Sequence, residues 1–334
     1  MSAARRSREA RRARRRATES GRRNGSPRQE EKAEAAITAA ALVPVAVLTL
    51  IWGCNWPILK MGVTEIAPLT FRAFTLLFAA LGMLVVAHLS GNSLRIPRAL
   101  WGKVAVLALC NIAIWNGLLL FGVRQLPAGR SAILAFTMPV WSVLFSLMLL
   151  SEPLGRRRIA GMALGMLGMA LLLGDDIRHF QRAPTAALLI LGAAIGWALG
   201  TVLLRKWHLP LPQNTLSGWM MLAGWAPLAL LAPLFDPGPL TMPSATGWFA
   251  LLYNVFLAGT LAHWAWYTLA RTLPVAVSSM SSLPVPIVGV FSGMLLLGER
   301  PGPSEWIALA LVVAAMVAVL WSPKPPPAPM TPDD

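Results

Sequence analysis

RQLPAGRSAILAFTMPVWSVLFSLMLLSE, residues 124–152, and RTLPVAVSSMSSLPVPIVGVFSGMLLLGE, residues 271–299, are two versions of one segment set 147 positions apart. Arg124, Leu126, Pro127, Ser131, Pro139, Val143, Leu149, Leu150 and Glu152 recur as Arg271, Leu273, Pro274, Ser278, Pro286, Val290, Leu296, Leu297 and Glu299. Shared apolar composition explains the leucines. It does not place two prolines, an arginine and a glutamate in register. A shift of 145 also pairs Trp52 with Trp197 and Lys60 with Arg205. The repeat therefore reaches beyond the quoted segment.

Working outward, each copy reads as five apolar runs between Gly, Pro and charged breakers. Residues 37–59, 69–89, 100–121, 131–150 and 159–173 form the first set, and 186–204, 216–234, 248–269, 274–297 and 306–321 the second. Most have the roughly 20-residue length a bilayer crossing needs. The fold expected is all-α and polytopic, with ten transmembrane helices as two inverted five-helix repeats, residues 37–174 and 185–321. Inversion follows because five is odd. Inverted repeats place a substrate site between the copies near the bilayer midplane.

Composition agrees: 56% of the 334 residues are hydrophobic and 13% charged, against about 25% charged in a soluble domain. Residues 1–32 hold 12 of the 29 Lys and Arg. Residues 1–36 form a basic tail with little apolar surface, expected to be disordered and cytosolic. Its arginines suit anionic lipid at the membrane surface, and no nucleic-acid partner is expected. Residues 322–334 form a second, Pro-rich cytosolic tail. With the N-terminus inside, 22 Lys and Arg fall on the inner side and seven on the outer. That is the positive-inside pattern, with both termini cytoplasmic. Cys54 and Cys110 lie in apolar runs without metal-ligand spacing. Neither a cofactor nor a metal is expected.

Polar groups inside apolar runs mark a substrate path or an interhelical bond. His263 lies in the eighth run, and the 147-residue shift sets Asn116 opposite it. At helical spacing Tyr253, Thr260, His263 and Tyr267 would share a face. Asn111 precedes Asn116 in the third run, Thr137 lies in the fourth, and Asn55 and Trp56 lie in the first with Trp52. Pro139, Pro284 and Pro286 each remove a ladder bond, so breaks are expected that free a carbonyl one turn earlier. The Ser278–Ser282 run adds hydroxyls there. The expected substrate path comprises Asn55, Trp56, Asn111, Asn116, Thr137, His263, Tyr267 and Ser282. Lys60 and Arg72 would snorkel from span ends. Glu152 and Glu299 would each serve the N-terminus of the following helix. Gly192, Gly196 and Gly200 permit close helix packing within one chain or across a dimer face, so monomer and homodimer both stand.

The Trp52-Gly53-x-Asn55-Trp56 patch ahead of Lys60 resembles the opening of EamA-type transporters, as does Pro68-Leu69-x-Phe71-Arg72. So do Leu126-Pro127-Ala128 with Ser151-Glu152, and Leu273-Pro274-Val275 with Gly298-Glu299. The resemblance covers about residues 40–321. It implies a ten-helix inner-membrane carrier of the drug/metabolite transporter superfamily, often an exporter of amino acids or other small metabolites. Small drug exporters of that superfamily carry a glutamate in their first span. This chain has none there, which argues against proton-coupled export of cationic drugs. Two other classes stay open: a membrane sensor or scaffold that binds a metabolite without flux, and an integral-membrane enzyme. The latter needs a nucleophile–base pair or clustered carboxylates, and the apolar runs offer a single deep histidine.

Overall fold

The structure, a computed structural model, describes residues 27–150, 155–179, 184–236, 238–239, 241–266 and 284–320. The chain divides at Ala46 into residues 1–46 and 47–334. All regular structure among the described residues is helical. In chain order it comprises α1 Pro27–Glu65, α2 Pro68–Leu89, α3 Arg98–Gln125, α4 Ala128–Leu150 and α5 Arg156–His179. There follow α6 Pro184–Trp207, α7 Gln213–Phe235, α8 Ala245–Trp266, α9 Val285–Leu297 and α10 Pro303–Leu320. Among the described residues, seven segments are long and apolar enough to cross a membrane: Val45–Glu65 of α1, and α2, α3, α4, α6, α7 and α8. Ile159–Leu172, Val285–Leu297 and Pro303–Ala318 are shorter apolar helices.

Two boundaries differ from the sequence reading. Helix α1 begins at Pro27, inside the tail expected to be unstructured, and ends at Glu65 rather than residue 59. The polar residues Lys60, Thr64 and Glu65 read as a span end. They stay helical because Thr64 Oγ1 donates back to Lys60 O and Met61 O, and because both charged groups find partners on other helices. Trp52 and Trp56 are consequently mid-span residues, with Asn55 the eleventh of the 21 residues in Val45–Glu65.

Among the described residues from Val47 onward, two cores hold the helices together. One gathers Trp56, Leu59, Val63, Phe71, Leu120, Ile133, Leu134, Ile190, Val290 and Val312 from α1, α2, α3, α4, α6, α9 and α10. The other joins Leu76, Met83, Leu107, Ile112, Leu216 and Met221 from α2, α3 and α7. Large apolar residues also face outward; Leu295 is 85% and Leu230 76% exposed. In water such a surface is a liability; against lipid it is the required one. Helix α2 packs along α7 and α8, α5 along α10, α3 along α6 and α7, and α4 along α6 and α9.

The glycine stripe of α6 faces α3. A Cβ on Gly196 would lie 2.6 Å from Ile114, and one on Gly200 only 1.9 Å from Asn111 Oδ1. Gly200→Ala must push the two helices apart. Overpacking of this kind costs about 1–3 kcal/mol, read as a lower thermal midpoint in detergent.

Candidate functional site

Two stretches of π-helix stand out, Leu109–Ile114 in α3 and Tyr253–Leu261 in α8. Such segments carry an extra residue per turn and recur at functional sites. Shifted by 147, the first falls within the second. The π turn resets the register of α8, so the expected single polar face splits. Tyr253 Oη donates to Ile51 O at 2.7 Å, toward α1. Thr260 points to α2, where a Cβ on Gly82 would meet its Oγ1 at 2.8 Å, and its hydroxyl bonds Val255 O five residues back. His263 Nδ1 lies 3.0 Å from Ala258 O, also five residues back, and its ring stands edge-on to Trp52 at 5.6 Å.

On the helix that carries Asn55, Trp52 and Trp56 meet rings of other helices. Trp52 contacts His263 and lies 5.9 Å from Trp266, and Trp52 Nε1 donates to Ala258 O at 3.4 Å. Trp56 lies 6.3 Å from Phe136 of α4, and its ring abuts Gly289 of α9. Helices α1, α4, α8 and α9 thus meet at these two tryptophans. Asn55 Oδ1 is fully buried there with no donor.

Other expected site residues sit differently. Asn111 is a tether between helices: its Nδ2 donates to Trp197 O at 3.2 Å and Thr201 Oγ1 at 3.4 Å. Asn116 Nδ2 donates to Ile112 O at 2.8 Å, within its own helix. Thr137 is buried and donates to Leu134 O at 2.7 Å. Helix α4 is interrupted there, between Ala135 and Met138, one turn before Pro139. Pro284 caps α9 and Pro286 occupies its first turn, where the missing N–H costs nothing. Tyr267 and Ser282 lie outside the described residues, as does Glu152.

Charged groups are where sequence reasoning departed most from the structure. Glu299 does not serve the following helix. It caps α4: Oε1 accepts from Ala128 N at 2.6 Å and Oε2 from Gly129 N at 3.1 Å. Lys60 does not snorkel. It joins Glu299 at 3.4 Å and donates to Leu126 O, the last carbonyl of the α3 end, at 2.6 Å. Arg130, 1% exposed, bonds Glu305 Oε1 at 2.9 Å and Leu172 O. Glu305 also accepts from Gly302 N at 2.9 Å, a capping-box contact. The same end of the molecule holds Asp236 Oδ2 on Thr70 N at 2.7 Å and Glu65 on Ser244. Carboxylates from α1, α7 and α9 thereby meet the start of a different helix, where unpaired N–H groups and the dipole favour them. A small pocket lined by Pro127, Arg130, Val290, Glu299 and Glu305 lies among these groups. Sequence spacing cannot show it, since its residues come from distant helices.

Arg72 does not snorkel either. It is partly buried, and its Nε is shut off from the surface without a hydrogen-bond partner. Arg72 is the fifth residue of α2, near a span end rather than its centre, yet a buried polar atom without a partner calls for an explanation.

The EamA-like transporter family matches this chain twice, over residues 39–174 and 184–321. This chain belongs to the EamA-like transporter family. Among its relatives, the uncharacterized inner membrane transporter YedA of Escherichia coli (strain K12) is 28% identical over 293 residues, covering 86% of this chain and 94% of that protein. The uncharacterized transporter YoaV of Bacillus subtilis is 23% identical, covering 76% of this chain and 87% of that one. A protein of Salmonella typhimurium named a probable amino-acid metabolite efflux pump is 26% identical, covering 80% and 91%. One crystal structure superposes with a TM-score of 0.60 at 20% identity, covering 84% of this chain and 97% of that chain, and so shares the fold. Membership of the family makes the chain a multi-pass membrane transporter.

Proposed function

We propose that this EamA family member is a secondary carrier of the inner membrane that exports a small metabolite, an amino acid or a related compound. It alternates access between two inverted five-helix halves, with both termini cytoplasmic. The observation that supports two related halves is the pattern of helix pairing, and the odd number of helices in each half makes the relation an inverted one. If helix i exchanges with helix i+5, the pairs α2–α7, α4–α9 and α5–α10 map onto themselves. The α3–α7 pair maps onto α8–α2. The α3–α6 pair maps onto α8–α1, seen in the Tyr253 and Trp52 bonds. The α4–α6 pair maps onto α9–α1, seen in Ser292 Oγ donating to Gly53 O at 3.3 Å. A pseudo-twofold in the membrane plane relates inverted repeats in just this way.

The path runs between the halves past Asn55, Trp56, Asn116 and His263. Broken α4 exposes backbone to it. The name of the Salmonella typhimurium relative supports amino-acid metabolites as cargo. His263, set against Trp52, is the titratable group of the path. Flux in proteoliposomes, measured with labelled amino acids across pH 5.5–8.5, tests the reading. We expect His263→Gln to keep flux while flattening its pH profile, because glutamine retains hydrogen bonding without titration near neutrality. An unchanged profile would make His263 a packing partner of Trp52. Binding without flux by wild-type protein would favour a sensor.

A further inference from the structure

Two buried groups of opposite hydrogen-bonding sense are left open in this molecule, the acceptor Asn55 Oδ1 and the donor Arg72 Nε. Buried polar groups are paired as a rule, and exceptions call for an explanation. Arg72 forms no ion pair and no side-chain hydrogen bond among the described residues; its guanidinium carbon stands 6.0 Å from the Phe71 ring centroid. Its Nε and a terminal nitrogen present the side-on fork that matches a carboxylate. The helix face that carries Arg72 also carries Ala79 and Gly82, which abut Gly259 and Thr260 of α8. That face therefore looks toward α8, the helix bearing His263.

Depth is compatible. Helices α1 and α2 meet in a tight turn, with a Cβ on Gly62 falling 2.4 Å from the Phe71 ring. Asn55 lies ten residues before Glu65 and Arg72 four after Pro68. At 1.5 Å per residue that is about 15 Å and about 6 Å from the turn, an axial offset of about 9 Å that an extended arginine side chain and the substrate together would span.

We propose that Arg72 and Asn55 are the recognition groups for a zwitterionic substrate, Arg72 taking the carboxylate and Asn55 Oδ1 the ammonium. This rests on the metabolite-transport reading above and deepens it. The uncapped guanidinium is kept open for an anion that arrives with the substrate. The glutamates and aspartate described elsewhere in the fold are engaged at helix starts and cannot neutralise it.

Binding to purified protein in phosphatidylcholine nanodiscs tests this, with three probes on one scaffold: L-leucine, isoamylamine, which lacks the carboxylate, and 4-methylpentanoate, which lacks the amine. L-phenylalanine, phenethylamine and 3-phenylpropanoate form a second set. Wild type is expected to prefer the amino acid over both stripped analogues by about tenfold or more, the scale of a charge-assisted bond. Arg72→Gln should lose about that factor for the amino acid and the acid while leaving the amine unchanged. Asn55→Leu should lose affinity for the amino acid and the amine, and not for the acid. Arg72→Lys keeps the charge without the fork and should retain a weakened carboxylate preference; it decides the matter if Arg72→Gln does not fold. Equal binding of amino acid and amine by wild type, or an unchanged preference in the arginine variants, overturns the assignment while leaving transport intact. A repeat in phosphatidylglycerol nanodiscs separates a second source of the anion. If that lipid abolishes the carboxylate preference, Arg72 binds a headgroup and the assignment fails. Failure of all six probes to bind would sink the metabolite reading and this inference with it.

Discussion

Replacing Arg130 by methionine is expected to destabilise the protein by about 3–5 kcal/mol, the cost of stranding one member of a buried ion pair. Its side chain is wholly buried, and it ties Glu305 of α10 and Leu172 O of α5 to the first turn of α4. Removing it takes the guanidinium away from the Glu305 carboxylate, only 9% exposed. A marginal stability of about 5–15 kcal/mol makes that loss visible as a sharp fall in monodisperse yield and thermal midpoint. Glu305→Gln should be milder, since glutamine preserves the capping-box contact to Gly302. The double variant Arg130→Met/Glu305→Gln should recover a large part of the loss, because no buried charge is then unpaired. Strictly additive effects in this cycle would show that the two side chains are not coupled.

The second large effect is expected at Glu299. Alanine there removes both acceptors of the Ala128 and Gly129 amides and the counter-charge of Lys60. Charge-assisted bonds of this kind contribute about 1.5–3 kcal/mol each when buried, and less here because Lys60 retains 22% exposure. We expect a loss of about 2–4 kcal/mol in Glu299→Ala and about half of that in Glu299→Gln, which keeps one acceptor oxygen. Lys60→Met should cost less than either, since the cap on α4 survives it. Flux should fall in the same order, because Glu299 fastens the end of α9 to the start of α4, and any opening at this end has to release that contact. Cysteine labelling at Val290, in the adjoining pocket, reads that opening directly. Equal labelling of wild type and Glu299→Ala would show that the cap does not hold this end closed.

Much of the architecture is set by linear properties of the chain. Apolar runs near the bilayer length, broken by Gly, Pro and charge, specify helices wherever the backbone has no water to bond. The 147-residue repetition of Arg124–Leu126–Pro127 and Glu152 is a property of the string, and so is the family match over residues 39–174 and 184–321. The break in α4 was legible in Pro139, because proline acts on its own preceding turn.

What only the tertiary structure decided concerns partners. An asparagine in an apolar helix reads the same whether it faces a cavity or a neighbour. Gly200, close enough to leave room for no Cβ, made Asn111 a tether. A carboxylate at a helix end reads as a cap for the next helix, yet Glu299 caps α4, 170 residues earlier, because packing brings that N-terminus nearer. Two arginines in like settings, Arg72 and Arg130, diverged in the same way. Arg130 meets Glu305, and Arg72 meets no carboxylate among the described residues. Neither π-helical stretch has a marker in the sequence, since the extra residue in the turn is accommodated by contacts from α2 and α6. Local composition determines which residues are helical and buried in lipid. Long-range packing determines which polar groups are satisfied, and so which ones remain free for a substrate.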